Sequence, residues 1–191
     1  MGYRGSAEAG VKEIGPEPIP TEISAPGEAL AFDLLYDQYG SYVYNACLGI
    51  VGSPDDARDA MQDTFVQLYR SLPRIRDRSV LRTWLYRVAA NKCADILRKR
   101  PRWQTTDPGE RPGGASQPSG EELLEYRVRQ TILQLKPEFR VVLVLCYFER
   151  LSYCEMALAL RCSVDQVRGR LHRARQAFRM AYRDGGDDIE V

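Results

Sequence analysis

The densest chemistry in the 191-residue chain lies near its C-terminal end, where Val164 to Arg183 carries six arginines (168, 170, 173, 175, 179 and 183) against one acid, Asp165. Guanidinium groups at that density grip phosphates and hydrogen-bond to base edges. A second constellation runs through Trp84, Arg87, Asn91, Asp95 and Arg98, spaced by three or four residues, so on a helix they share one face. A ring, an amide and arginines in that arrangement suit unpaired bases: the ring stacks, the amide reads an extruded edge, and the cations follow the backbone. Just upstream, Leu72 to Arg82 holds Pro73 and four arginines, among them Arg74, Arg76 and Arg78, and reads as a basic loop beside that face. Opposite in sign is Ser53 to Asp63, with four aspartates (55, 56, 59 and 63) and one arginine, Arg58. Asp59, Gln62 and Asp63 fall within about one helical turn. No histidine and no second acid on another element accompany them, so the group suits a protein partner better than acid–base catalysis. Taken alone, Trp84 reads equally as a core residue, and each charged stretch as a solvated face.

Helices must position these groups. Phe32, Leu35, Tyr36, Tyr39, Val43, Ala46, Cys47 and Ile50 recur at helical spacing. A second helix starts at Ser53-Pro54-Asp55-Asp56, with a serine cap, proline in the first turn and acids on the positive end of the dipole; its buried stripe is Ala57, Ala60, Met61, Phe65 and Leu68. A third helix is predicted from about Thr83 to Arg98, with Leu85, Val88, Ala89, Cys93 and Ile96 inward. Beyond it come a helix from Glu121 to Leu135 and another from near Pro137. Two capping boxes follow, Ser152 with Glu155 and Ser163 with Gln166. Helix starts that close together leave room for a short helix, a turn of about three residues and a longer helix, which is the outline of a helix-turn-helix. On the last helix Val164, Val167, Leu171, Ala174 and Phe178 face inward. Gln166, Arg168 and Gly169 are left to meet bases, and Arg170, His172 and Arg173 to meet bases or backbone. No alternating strand pattern occurs, so the fold class is all-α.

Composition divides the chain. Residues 1–27 hold four prolines and several glycines without periodicity and read as a disordered tail. Residues 101–120, with prolines at 101, 108, 112 and 118, read as a flexible linker between two small helical domains, 28–100 and 121–183; 184–191 form a C-terminal tail. The net charge of +1 excludes attachment to nucleic acid by bulk charge alone. No apolar run approaches the ~20 residues that span a bilayer, and no signal-peptide pattern opens the chain, so the expected location is cytoplasmic. The five cysteines (47, 93, 146, 154 and 162) lack CxxC spacing and read as reduced thiols in a core, with no metal site and no cofactor.

Three segments resemble the sigma-70 superfamily, and specifically its extracytoplasmic-function group. Asp55 to Tyr69, DDARDAMQDTFVQLY, is similar to the polymerase-binding motif of that family. Arg82 to Arg100, RTWLYRVAANKCADILRKR, is similar to its promoter-melting helix, and Leu135 to Arg175 to its −35-reading domain. The resemblance implies a non-enzymatic factor that directs core RNA polymerase to promoters. Asp59, Gln62, Asp63 and Phe65 would contact the clamp helices of the largest polymerase subunit. The basic loop and the Trp84–Arg98 face would hold single-stranded −10 DNA, and the last helix would read −35 duplex. It also implies an anti-sigma factor as a partner. This chain departs from the family pattern at Arg58, where the acidic motif has glutamate, and at Gln166 and Gly169, where threonine and serine are common. A further departure is Arg161, where the turn usually has glycine; either a non-glycine residue is left-handed there or the turn differs. Two other classes remain open from the residues alone: a helix-turn-helix repressor or activator, and an enzyme.

Overall fold

The computed structural model describes residues 28–75, 77, 80–99 and 119–184; the predicted tail, most of the predicted linker, and Arg76 and Arg78 of the basic loop lie outside them. Among the described residues there are only helices and turns: α1 (Glu28–Val51), α2 (Pro54–Ser71), α3 (Leu81–Lys99), α4 (Gly120–Gln134), α5 (Pro137–Leu143), α6 (Tyr153–Leu160) and α7 (Val164–Asp184). A 3-10 turn (Leu72–Arg74) closes α2, and a π-helical turn (Val144–Phe148) extends α5.

Local chemistry sets the boundaries. Ser53 caps α2 through Asp56 N–H, which donates to its hydroxyl at 3.3 Å, with Pro54 in the first turn. The linker ends in a third capping box: Ser119 Oγ accepts from Glu122 N–H, and Glu122 returns the bond to Ser119 N–H at 2.8 Å. The sequence carries the same Ser-x-x-Glu spacing there as at Ser152 and Glu155.

α1, α2 and α3 form one bundle around Leu35, Tyr39, Val43, Phe65, Leu68, Leu81 and Leu85, each at most 2% exposed. The predicted α1 stripe holds except at Tyr36, which is 41% exposed and leans on the edge of Phe65, with ring centroids 4.8 Å apart. α4 to α7 surround Val142, Leu145, Met156, Val167 and Leu171. The two halves do not stand apart. One buried cluster runs through both, and α1 packs on α4, α5 and the π turn while α3 packs on α5 and α6. Gly49 makes that approach possible: a Cβ added there would lie 3.0 Å from Val144 Cγ2, closer than ordinary packing allows. α3 starts two residues earlier than expected because Leu81 is fully buried and extends the helix's apolar side.

Candidate nucleic-acid interface

The helix-turn-helix is α6, residues 161–163 and α7. Ser152 and Ser163 each cap the next helix, with Ser152 N–H donating to Glu155 at 2.8 Å and Ser163 N–H to Gln166 Oε1 at 2.9 Å. Between them Arg161 is left-handed (φ 50, ψ 49), and Cys162 N–H reaches back to Ala157 O at 3.0 Å while Arg161 N–H reaches Leu158 O at 3.4 Å. This is a Schellman ending with arginine in the glycine place, so the turn keeps its shape and the strain falls on one residue.

α7 buries Val167, Leu171 and Ala174 and turns Gln166, Arg168, Gly169, His172 and Arg173 to solvent, with Arg170 half-buried. Asp165, Gln166, Gly169, Arg170 and Arg173 line one open concavity, and a Cβ at Gly169 would meet nothing within 4 Å. A groove-reading surface needs that freedom from neighbours. Two members also have local duties: Gln166 Oε1 serves the cap, and Arg168 pairs with Asp165 at 3.2 Å, a fully exposed contact worth little by itself. Behind them Arg175 donates through Nε to Tyr147 Oη at 2.7 Å, which ties α7 to the π turn.

α3 is more crowded. Leu85, Val88, Ala89 and Cys93 are buried as predicted, Asn91 and Arg98 are exposed, and Trp84, Arg87 and Asp95 are intermediate. Trp84 therefore takes both readings at once: it packs against the core, and its ring carries the Arg87 guanidinium 5.9 Å from its centroid. Arg98 pairs with Asp95, and Arg74 is exposed at the end of the 3-10 turn. Burial and the nearby Arg161 across the seam both push the Arg87 pKa down. Sequence reasoning missed Tyr86 and Glu149, both buried, whose side chains hydrogen-bond between the two halves.

On α2, Asp59, Gln62 and Asp63 are exposed along one side, and Asp63 pairs with Lys92 of α3 at 2.9 Å. Phe65 is buried, as its place in the predicted stripe requires, which leaves it little surface for the direct contact that the resemblance implies. At 2% exposed it lies beneath that surface, packed at steep angles to Phe32 and Tyr36, and supports the acidic helix from below. Arg58 pairs with Asp55 at 2.8 Å. Cys47 and Cys93 are core thiols as expected, whereas Cys154 is exposed. Among the described residues no helix is long and apolar enough to cross a membrane, and no three histidine, cysteine or acidic side chains cluster as metal ligands would.

Two family models match the chain, Sigma-70 region 2 over residues 35–102 and Sigma-70, region 4 over residues 126–178. Over 167 residues the chain is 34% identical to the RNA polymerase sigma-H factor of Pseudomonas aeruginosa, covering 80% of this chain and 86% of that one. The chain belongs to the sigma-70 family, in its extracytoplasmic-function group. Similar relatives include the ECF RNA polymerase sigma-E factor of Escherichia coli, 34% identical over 80% of this sigma factor and 86% of the relative. The ECF RNA polymerase sigma factor SigW of Bacillus subtilis is 29% identical over 83% and 92%. Among solved structures, CnrH in complex with the cytosolic domain of CnrY aligns with a TM-score of 0.61 and 29% identity over 81% of this chain and 88% of that one. RpoE in complex with the anti-sigma factor NepR from Bartonella quintana shares the fold at 0.63, with 21% identity over 80% and 97%. The protein is thus a promoter-directing initiation factor and not an enzyme.

Proposed function

We propose that this sigma factor reads −35 duplex with α7 and holds an opened −10 strand with α3, while α2 docks it on core RNA polymerase. One observation carries the reading: α7 leaves Gln166, Arg168, Gly169, His172 and Arg173 exposed on a helix that a capped turn holds in place. A helix entering the major groove needs that surface. On α3 the Trp84–Arg87 stack beside exposed Asn91 pairs a sequence-tolerant base platform with a group able to read one extruded base. Arg74, Arg76 and Arg78 supply backbone contacts, and Asp95 and Arg98 extend the strip. Asp59, Gln62 and Asp63 meet the clamp helices of the largest polymerase subunit, with Phe65 supporting them from within. The chain works in the cytoplasm, where core polymerase is, and an anti-sigma factor that covers these faces is its further partner, a reading supported by the likeness to RpoE, which was solved in complex with the anti-sigma factor NepR.

Run-off transcription on genomic fragments with sigma-free core polymerase tests the reading. Transcripts with defined start sites are expected, with protection spanning two upstream elements. A footprint on duplex by the protein alone, with no dependence on polymerase, would support a repressor or activator instead.

A further inference from the structure

Gln166 has two duties on the first turn of α7, and they belong to opposite ends of one amide. Oε1 accepts the Ser163 N–H at 2.9 Å and so closes the capping box, while Ser163 Oγ accepts the Gln166 backbone N–H at 3.2 Å. A backbone N–H can only donate, so it fixes which end of the amide is turned to the cap. Nε2 is left with its N–H donors exposed, and among the described residues nothing engages it. The other box of the same helix-turn-helix shows what capping alone requires. There Glu155 fills the equivalent place with a carboxylate, which accepts from Ser152 N–H at 2.8 Å and from Ser152 Oγ at 2.7 Å. A carboxylate has no donor to present, whereas the amide at 166 does.

We infer that Gln166 is a one-way donor, and that it makes this sigma factor select a keto base, guanine or thymine, over an amino base, adenine or cytosine, at one position of the −35 element. The inference rests on the major-groove reading proposed above. In that groove guanine N7 and O6 and thymine O4 only accept, whereas adenine and cytosine each turn an amino group outward. A bidentate grip on adenine needs both ends of the amide turned to the base together. With Oε1 turned to Ser163, only the nitrogen end remains.

The surroundings keep that donor clear. Gln166 shares its concavity with Asp165, Gly169, Arg170 and Arg173, and the Asp165 carboxylate on the same rim is already paired with Arg168 at 3.2 Å. Position 169 stands one turn further along the same face, and helical side chains lean towards the N-terminus, so a side chain there would cover the amide. Packing does not ask for glycine at this place. A Cβ would meet nothing within 4 Å, and glycine weakens a helix. Its benefit lies outside the fold, in leaving the Gln166 amide and Arg173 open to the same stretch of base edges.

The test titrates the full chain with core polymerase on end-labelled fragments of a promoter found by run-off transcription, with all four base pairs placed in turn at each −35 position. Wild type is expected to show one position where guanine and thymine on one strand bind roughly tenfold tighter than adenine and cytosine. Gln166→Glu keeps the acceptor that the cap needs and replaces the donor with a second acceptor. The preference at that position should therefore turn over to adenine and cytosine, while the melting midpoint stays. Gly169→Leu, which covers the amide, should flatten the preference there without lowering the midpoint. Base preferences in Gln166→Glu that match wild type at every position would overturn the inference. So would a wild type that favours adenine alone where Gln166 acts, because the amide oxygen would then reach the base. Those results leave run-off transcription and its −35 dependence intact, whereas a wild type indifferent to every −35 base removes the reading beneath the inference.

Discussion

The two candidate nucleic-acid helices, α3 and α7, carry similar chemistry under different constraints. α7 needs one side for its core and leaves its reading face to solvent, where the local contacts are a cap and an exposed ion pair. α3 meets neighbours on three sides. Leu85, Val88 and Cys93 pack into the bundle, Arg82 and Tyr86 enter the seam with the second half, and Lys92 holds Asp63 of α2. Substitutions on the face of α7 should therefore change DNA binding alone. On α3 binding, stability and the arrangement of the halves change together.

The largest expected effect removes the action of both helices at once. Asp63→Arg places a cation beside Lys92 on the surface proposed to dock polymerase, and co-elution with core enzyme should vanish while circular dichroism stays unchanged. Retained co-elution would move the docking surface off α2. Next, Trp84→Ala should lower stability by about 2 kcal/mol through lost packing and cost a further ~1 to 3 kcal/mol of single-strand stacking. Permanganate reactivity at the start site reports the second loss and thermal melting the first; a change in only one would make α3 as simple as α7. For α7 the contrast is Arg168→Ala and Arg173→Ala, each expected to weaken the −35 contact by ~1 to 3 kcal/mol. Holoenzyme footprint titrations measure that, and melting midpoints should not move. Ser163→Ala should cost about 1 kcal/mol of stability by removing the cap, seen in chemical denaturation.

The smallest effect is a pH dependence. Burial holds the Glu149 carboxyl above the usual carboxylate range, against the lowering influence of the Tyr86 hydrogen bond and of Arg82, which also faces Glu155 and Tyr39. Its proton is bound more tightly in the folded chain than in the unfolded one. The stability it contributes is therefore fully present below the ordinary carboxylate pKa and is lost as pH rises from there through the raised value. The thermal melting midpoint should fall across that window in the wild type and lose that component in Glu149→Gln.

Much of the fold was legible because its signals are local. Capping residues at 53, 152 and 163, proline at 54 and the apolar spacing of α1 to α3 act within a few residues, and the helices begin close to the predicted places. The candidate site on α7 was legible for the same reason, since an amphipathic helix with an arginine face needs no distant partner to expose it. Phe65 carried two expectations, a place in the buried stripe read from helical spacing and a polymerase contact implied by the family motif; it is buried, and which rings cover it, Phe32 and Tyr36 some thirty residues away, was not legible.

By itself the sequence determined helix identity, the capped turn and the segregation of charge, which follow from spacing and short-range hydrogen bonding, and its three motifs carried the resemblance to the sigma-70 family. Only the tertiary structure decided that Arg161 takes the left-handed place, that Trp84 is half core and half surface, and that Arg82, Tyr86, Arg140 and Glu149 meet. The physical reason is separation along the chain. Tyr86 and Glu149 stand 63 residues apart and Arg140 and Ile50 stand 90 apart, and no periodicity carries information across such gaps.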